Sequence, residues 1–332
     1  MTRTSPIPAL TLLLNLLLFT LSTTALSTSP GCGQPLPDFL KRGWNGSSNR
    51  LSFKTHSGKT RTYLMHVPPT YSSSTPIGLV LSFHGKGRTA AYQEKLSKFS
   101  QPGINPQMLA LYPEGLGKKW QGDPEASSDD VAFTLELLDT LERIFCLDRH
   151  RIFAAGKSNG GGFALNVLAC HPIASQRIAA FGGVAGAYYQ GDAGKGCEGR
   201  DVVMQSCKPG RKPVPVLEAH GTDDGVIGYD GGPRRGKCLP SVPRFMRAWG
   251  RRNGVGNANV TTGLFGNEVW RNEFGEGDLR GIGTHYRVKG KGHVWFDTNG
   301  TEDRGVFDVS AVIMEFFGRW SLDRTPGGKG SG

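Results

Sequence analysis

Beyond its first 25 residues, the sequence has no apolar run of the roughly 18 to 20 residues that a membrane-spanning helix needs. It also lacks any run of five or more basic residues, so a dedicated nucleic-acid surface is not indicated. No C-x-x-C pair of the kind found in zinc sites is present. The 48 glycines follow no repeat period, which excludes collagen-like and solenoid folds. We therefore expect no membrane, nucleic-acid or metal partner.

The first 25 residues have the pattern of a secretory signal peptide. Arg3 is followed by an apolar stretch over residues 9–21, and small residues at 23–25 offer a cleavage site. An uncleaved anchor is the alternative, but the apolar core is short for one. We expect residues 1–25 to be removed and the protein to be secreted.

The cysteines and the glycosylation motifs agree with secretion. An even number of cysteines in an oxidising compartment predicts three disulfides. The sequence leaves the pairing open, and our working hypothesis joins Cys32 to Cys238, Cys146 to Cys170, and Cys197 to Cys207. Asn-x-Ser/Thr triplets predict glycans at Asn45, Asn259 and Asn299.

The chain carries 39 Lys and Arg against 28 Asp and Glu, a formal charge of +11. Nucleic acid or an acidic polymer could be attracted by such a charge. Because the basic residues are scattered along the chain, the plainer interpretation is a basic enzyme. No feature indicates an oligomer, and we expect a monomer.

Strand-like and helix-like segments alternate along the chain. We predict strands at residues 61–67, 77–83, 108–112, 151–155, 214–219 and 284–288, and helices at 129–145, 243–252 and 309–320. Continuous apolar runs such as 77–83 are typical of buried parallel strands. This order predicts an α/β fold with a mostly parallel central sheet, helices on both faces, and ligands at the carboxyl ends of the strands. We expect one catalytic domain over residues 26–322 and a flexible glycine-rich tail over 323–332.

The pattern G-x-S-x-G occurs at residues 156–160, directly after one predicted strand and before a helical run that ends near Cys170. In a glycine-rich chain this pattern also arises by chance, so its position is what matters. A strand, a sharp turn at a serine and a helix that needs small neighbours form the nucleophile elbow of the α/β-hydrolase fold. Ser158 is therefore the candidate nucleophile, with Gly156 and Gly160 as its small neighbours.

A serine hydroxyl needs a base, and the base needs a carboxylate to orient it, in the chain order Ser, Asp, His. Asp223 and Asp224 follow the predicted strand 214–219, and either could be the acid. His293 lies in a glycine-flanked loop after the strand 284–288 and is the best candidate base. His285 lies inside that strand.

The oxyanion of the intermediate needs amide donors. In this fold they come from the residue after the nucleophile and from a loop after an early strand, which points to the amides of Asn159 and Lys86. The neighbouring His84 is expected to have a structural role. Trp120 and Trp295 could stack on a phenolic ring or a sugar, or they could be core fillers. No metal or organic cofactor is required.

The chain resembles the secreted fungal feruloyl esterases, a carbohydrate esterase group related to acetyl xylan esterases and polyhydroxybutyrate depolymerases. The resemblance runs from about residue 31 to residue 320 and rests on the segments 82–90, 112–115, 120–122, 129–131, 156–162, 220–224 and 292–295. In that family the acid is the last residue of H-G-x-x-D, which favours Asp224 over Asp223. The family's nucleophile and base fall on Ser158 and His293.

The resemblance implies a serine esterase that releases ferulic or related hydroxycinnamic acids from the arabinoxylan of plant cell walls. The expected partner is therefore a plant polysaccharide that carries hydroxycinnamoyl esters. An acetyl xylan esterase and a polyester depolymerase are alternatives, because acyl preference depends on pocket shape. A secreted binding protein that has lost activity is the alternative outside enzymes.

Overall fold

The computed structural model describes residues 27–44, 48–194, 197–202, 204 and 207–323. The predicted signal peptide at 1–25, the glycan site at Asn45 and nearly all of the tail at 323–332 lie outside the described residues. The helices that are described include none long and apolar enough to cross a membrane.

Strands dominate the described part of the chain. They are β1 (Asn49–Lys54), β2 (Thr60–His66), β3 (Ile77–Phe83), β4 (Leu109–Pro113), β5 (Leu147–Lys157), β6 (Ala180–Val184), β7 (Val216–Gly221), β8 (Gly232–Arg234), β9 (Lys237–Leu239), β10 (Asn259–Leu264), β11 (Val269–Phe274) and β12 (Gly283–Val288). The helices are α1 (Ala90–Ser97), α2 (Asp130–Ile144), α3 (Asn159–Gly162), α4 (Ala174–Arg177), α5 (Val242–Arg252) and α6 (Val309–Gly318). A π-helix at Phe163–Leu168 continues α3.

One ten-stranded sheet runs through these residues in the order β1-β2-β4-β3-β5-β6-β7-β12-β11-β10. The six strands from β4 to β12 in that order pair in parallel, and antiparallel strands flank them on each side. β8 and β9 form a separate antiparallel hairpin. The predicted mostly parallel sheet is confirmed.

Side chains along the central strands point alternately to the two faces of the sheet, so the apolar core is divided into two clusters. On β3, Leu79 and Leu81 belong to one apolar cluster and Val80 to the other, as the two-residue period of a strand requires. Helices α2 and α5 pack on the first face, and α1 and α6 pack on the second. The prediction of helices on both faces is also confirmed.

Strongly patterned segments were predicted closely. The strand at 77–83 is β3, and the helix at 129–145 is α2, capped by the carboxylate of Asp129 through the amide of Ala132 at 2.9 Å. Six of the described strands were not predicted: β1, β6, β8, β9, β10 and β11. β6 contains two glycines, and β10 is polar and largely exposed, so neither has the apolar pattern of a central strand.

The hypothesised disulfide pairing is wrong in all three pairs. The bonds join Cys32 to Cys146, Cys170 to Cys207, and Cys197 to Cys238. The first pair forms because the segment around residues 29–31 lies beside the end of α2, with the amide of Ser29 donating to Leu147 O at 3.0 Å. Spacing in the sequence does not show such contacts between distant segments.

The two glycan sites within the described residues, Asn259 and Asn299, are both exposed. Their modification stays a prediction.

Candidate active site

Ser158 lies at a sharp turn between β5 and α3. Its backbone has φ 56° and ψ −120°, a strained conformation for a residue with a side chain. The turn is possible only because its neighbours are small. A Cβ on Gly156 would lie 2.4 Å from the carbonyl carbon of Gly160, and a Cβ on Gly160 would lie 2.2 Å from Phe83 O. The structure therefore has the strand, turn and helix of a nucleophile elbow.

His293 and Asp224 meet beside this turn. Asp224 follows β7 and His293 follows β12, and these two parallel strands are neighbours, so both residues lie at the same edge of the sheet. His293 Nδ1 is 2.7 Å from Asp224 Oδ2. The other oxygen of Asp224 accepts hydrogen bonds from the amides of Val226 and Ile227 at 2.8 and 2.7 Å. The carboxylate is thus oriented by the backbone as well as by the imidazole.

Asp223 points elsewhere. It is exposed, and its carboxylate accepts a hydrogen bond from Thr222 Oγ1 at 2.8 Å. The structure brings Asp224, and not Asp223, together with His293. Burial tends to raise the pKa of Asp224, but hydrogen bonds from His220 and His293 and their charges outweigh it and hold that pKa well below the ordinary value.

Ser158 and His293 line one cleft of about 440 Å³ together with Gly85, Lys86 and Asn159. The volume is within the range of about 300 to 1,000 Å³ that is usual for small-molecule sites. The backbone of Gly85 approaches the serine closely, since a Cβ there would lie 3.4 Å from Ser158 Cβ. Asn159 begins α3, where amides have no acceptor within the helix.

His84 has the structural role expected of it. It is fully buried, its Nε2 accepts the amide of Gly115 at 3.0 Å, and its Nδ1 is 2.9 Å from Gly85 O. These bonds connect the loop after β3 to the loop after β4.

The prediction that Trp120 and Trp295 stack on substrate is wrong, because both side chains are fully buried. Trp120 packs between Phe83 and Phe163, and its indole donates to His84 O at 2.9 Å. Its backbone amide donates to Asn159 Oδ1 at 2.7 Å, so it supports the elbow from behind. The indole of Trp295 donates to Ser310 Oγ at 2.9 Å. Both residues are core fillers, the alternative that the sequence left open.

The sequence did not reveal two buried charged residues, His220, which lies next to Asp224, and its partner Glu218. His220 is fully buried, with Nδ1 2.8 Å from Glu218 Oε1 and Nε2 2.8 Å from Ile227 O and 3.2 Å from Asp224 Oδ2. Both ring nitrogens face oxygen acceptors, so both must carry a proton. The hydroxyl of Tyr188 donates to the second oxygen of Glu218.

The pKa of His220 agrees with that geometry. Burial tends to lower it, but hydrogen bonds to Asp224 and Glu218 and their charges outweigh the burial and raise the pKa of His220 to about 9. An imidazolium therefore lies between two carboxylates, one of which also holds His293. Glu218 and His220 alternate with buried apolar residues on β7, and two charged residues inside an apolar strand are the sequence signal that could have revealed the network.

Glu302 is a second residue that the sequence did not reveal. Its carboxylate accepts hydrogen bonds from Lys157 Nζ, from Tyr92 Oη at 2.6 Å and from the amide of Trp295 at 2.7 Å. Lys157 precedes the serine of the elbow, and Trp295 is two residues after His293. Glu302 thus connects the elbow, α1 and the loop that carries His293, which we call the histidine loop.

Feruloyl esterase D of Neurospora crassa is 28% identical to the chain over 230 residues, which cover 66% of this chain and 69% of that protein. A probable feruloyl esterase C of Aspergillus niger is 26% identical over 250 residues, which cover 74% and 76% of the two chains. The structure of an acetyl xylan esterase from Aspergillus awamori is similar with a TM-score of 0.60 at 16% identity, over 82% of this chain and 100% of that one. No family model matches the chain.

The similarity to the solved structure supports the fold, and the similarity to the sequence relatives supports the enzyme class. The predicted resemblance, fold class and enzyme class are confirmed: the chain is a homologue of the fungal feruloyl esterases, a carboxylic ester hydrolase with the α/β-hydrolase fold.

Proposed function

We propose that the chain is a secreted serine esterase that hydrolyses feruloyl and related hydroxycinnamoyl esters of plant cell-wall arabinoxylan. The observation that carries the proposal is the 2.7 Å contact between His293 and Asp224 beside Ser158 at its strained turn in the same cleft. The names of the relatives support the choice of acyl group. The three disulfides are consistent with secretion. We also propose that the catalytic domain spans residues 26–322 and acts as a monomer.

The proposed reaction proceeds through an acyl-enzyme. His293 takes the proton from the Ser158 hydroxyl while Oγ bonds to the ester carbonyl carbon and the carbonyl π electrons move onto its oxygen. When the carbonyl re-forms, the bond from carbon to the sugar oxygen breaks, and the imidazolium protonates that oxygen. Asp224 stabilises the imidazolium, and the amides of Asn159 and Lys86 hold the oxyanion.

Water completes the cycle. His293 removes a proton from water while the water oxygen adds to the acyl carbon. The bond from carbon to Ser158 Oγ then breaks, and Oγ takes the proton back from the imidazolium. The products are the free hydroxycinnamic acid and the sugar hydroxyl.

The acyl group needs an apolar surface within the cleft. Tyr189, Val226 and Ile227 line it, and we propose that they contact the phenolic ring in place of the buried tryptophans. Five cationic side chains line the same cleft. So polar a surface argues against a long aliphatic polyester as substrate, and acetylated xylan remains the alternative within the enzyme class.

The test compares hydrolysis of methyl ferulate, an acetylated xylan and a short aliphatic ester by the wild type and by Ser158→Ala. We expect methyl ferulate to be the best of the three and Ser158→Ala to lower kcat by roughly 10⁴ to 10⁶. Ser74→Ala, at an exposed serine outside the cleft, is the matched control and should behave as the wild type. Release of acetate alone would refute the feruloyl assignment. An unchanged Ser158→Ala would refute the site, and a wild type inactive on every ester would favour a binding protein.

A further inference from the structure

Cationic side chains surround the serine in excess of the carboxylates that could neutralise them. The cleft is lined by Lys86, Arg88, Lys157, Arg234 and Arg235, against Asp123 and Glu302. We propose that the guanidinium groups of Arg88 and Arg234 bind carboxylates of the carbohydrate, so that the natural substrate is an ester on a polysaccharide that carries uronic acids. This proposal rests on the proposed function and names the class of polymer to which the ester is attached.

Three of the five cations have carboxylate partners. Lys86 Nζ is 3.1 Å from Asp123 Oδ1 and 2.8 Å from an oxygen of Glu125. Arg235 Nη1 is 3.4 Å from oxygens of the same two residues. Lys157 pairs with Glu302. These pairs hold the loop after β3, the hairpin and the histidine loop in place, and their charges are largely neutralised.

The other two cations have no carboxylate partner among the described residues. Arg88 is exposed and stacks its guanidinium over the ring of Tyr92, 4.6 Å from the ring centroid. Arg234 is half-buried, and its Nε is buried with no hydrogen-bond partner in the part of the chain that the structure describes. A guanidinium that lines a cleft without a carboxylate partner among the described residues can pair with a carboxylate of the ligand.

The fold holds Arg234 firmly in place. It ends β8 next to a tight turn at Arg235 and Gly236, which both have positive φ, 50° and 72°. The bond from Cys197 to Cys238 fixes the returning strand, and the amide of Gln190 donates to Cys238 O at 2.8 Å. The backbone that carries Arg234 therefore needs no rearrangement when an anion binds.

The exposed position of Arg88 favours the carbohydrate over the acyl group. The ester carbonyl must reach Ser158, whereas Arg88 is solvent-exposed and therefore meets the part of the substrate that extends outward. That part is the polysaccharide, whose common anionic group is the carboxylate of a uronic acid. Guanidinium groups bind carboxylates through two parallel hydrogen bonds. The formal charge of +11 adds a long-range attraction for an acidic polymer.

The binding experiment uses Ser158→Ala in the full chain, so that no ligand is consumed. Titration calorimetry at low salt compares xylotriose that carries one glucuronate with neutral xylotetraose. We expect the acidic oligosaccharide to bind about tenfold more tightly, and this preference to weaken as salt rises. Adding Arg88→Gln or Arg234→Gln should reduce the preference severalfold. Arg50→Gln, which removes one charge from an exposed position outside the cleft, should leave it intact.

A kinetic experiment distinguishes a failure of this proposal from a failure of the proposed esterase function. In the otherwise wild-type chain, the ratio of kcat/KM for feruloylated oligosaccharides with and without glucuronate should fall in Arg88→Gln and Arg234→Gln. Equal affinity for the acidic and neutral oligosaccharides would overturn the proposal. So would variants that change only inhibition by free ferulate, since the cations would then bind the released acid. A chain that binds the glucuronate-bearing oligosaccharide tightly but cleaves no feruloyl ester would refute only the proposed esterase function.

Discussion

Two of the regions around the cleft are held in place in different ways. The sheet edge, comprising Ser158, Asp224 and His293, follows three strands of one sheet and is fixed by close backbone packing. The rim hairpin, β8 and β9, is separate from the large sheet and is held by a disulfide and a few hydrogen bonds. The difference indicates that the proposed chemistry depends on the architecture of the large sheet, whereas Arg234, one of the two residues that we propose to select the polymer, lies on a hairpin attached to that sheet.

After the loss of the nucleophile itself, the largest effect is expected at the acid of the sheet edge. Asp224→Asn keeps the shape of the side chain but removes the charge that orients and stabilises the His293 imidazolium, so kcat for ester hydrolysis should fall by about 10³ to 10⁴. Asp223→Asn is the matched control, because that carboxylate is exposed and contacts Thr222. Steady-state kinetics on methyl ferulate measure both variants. Equal losses in the two variants would mean that the acid is misassigned.

The second prediction compares a glycine of the elbow with a glycine beside the rim hairpin. Gly160→Ala would place a Cβ 2.2 Å from Phe83 O and should lower the free energy of unfolding by about 4 kcal/mol or more. Gly191 lies beside β9, and a Cβ there meets no described atom within 4 Å, so Gly191→Ala should stay within about 0.5 kcal/mol of the wild type. Urea denaturation measures both values. A mild effect of Gly160→Ala would show that the elbow can relax.

The third prediction concerns the buried charges that support the sheet edge. His220→Gln removes the imidazolium between Glu218 and Asp224 and should cost roughly 3 kcal/mol of unfolding free energy near pH 6. Because the folded pKa of His220 is raised to about 9 from an ordinary 6.5, its contribution is complete below pH 6.5 and is lost as pH rises through 9. The difference between wild type and variant should therefore shrink by pH 10.

Urea denaturation at pH 6 and pH 10 tests this trend. Tyr188, whose pKa lies well above 10, stays neutral in that range, and Asp224, whose pKa lies well below its ordinary value, stays ionised. His56→Gln, at a side chain that is 91% exposed, is the control and should show little difference at either pH. A His220 effect that does not change with pH would mean that the ring is neutral and fills space only.

The smallest effect on stability is expected at the hairpin. Replacing Cys197 and Cys238 together with serine should cost about 2 kcal/mol of unfolding free energy and should weaken the preference for glucuronate-bearing oligosaccharides. Turnover of methyl ferulate should change far less than in Asp224→Asn, because the sheet edge does not depend on this bond. Calorimetry and kinetics on the double variant check both statements. A loss of activity on methyl ferulate as large as that of Asp224→Asn would show that the two regions are not independent.

The central strands, the long helices and the candidate nucleophile could be predicted because their signals are local. Residues 77–83 form an apolar run, residues 129–145 repeat with helical spacing, and Ser158 has glycines at the positions where an elbow needs them. The edge strand β10 is polar and exposed, so it has no such pattern. Residue type alone could not decide whether the tryptophans contact substrate or fill the core, and their burial places both in the core.

The amino-acid sequence by itself determined the fold class, the turn at Ser158 and the candidate base, because local backbone conformation and the succession of strands and helices along the chain follow from neighbouring residues. Only the tertiary structure decided the disulfide partners, the imidazolium beside Asp224, and the two guanidiniums at the cleft that have no carboxylate partner among the described residues. Those features arise between segments far apart in the chain. Charge, burial and pairing depend on distances in space that spacing along the sequence does not determine.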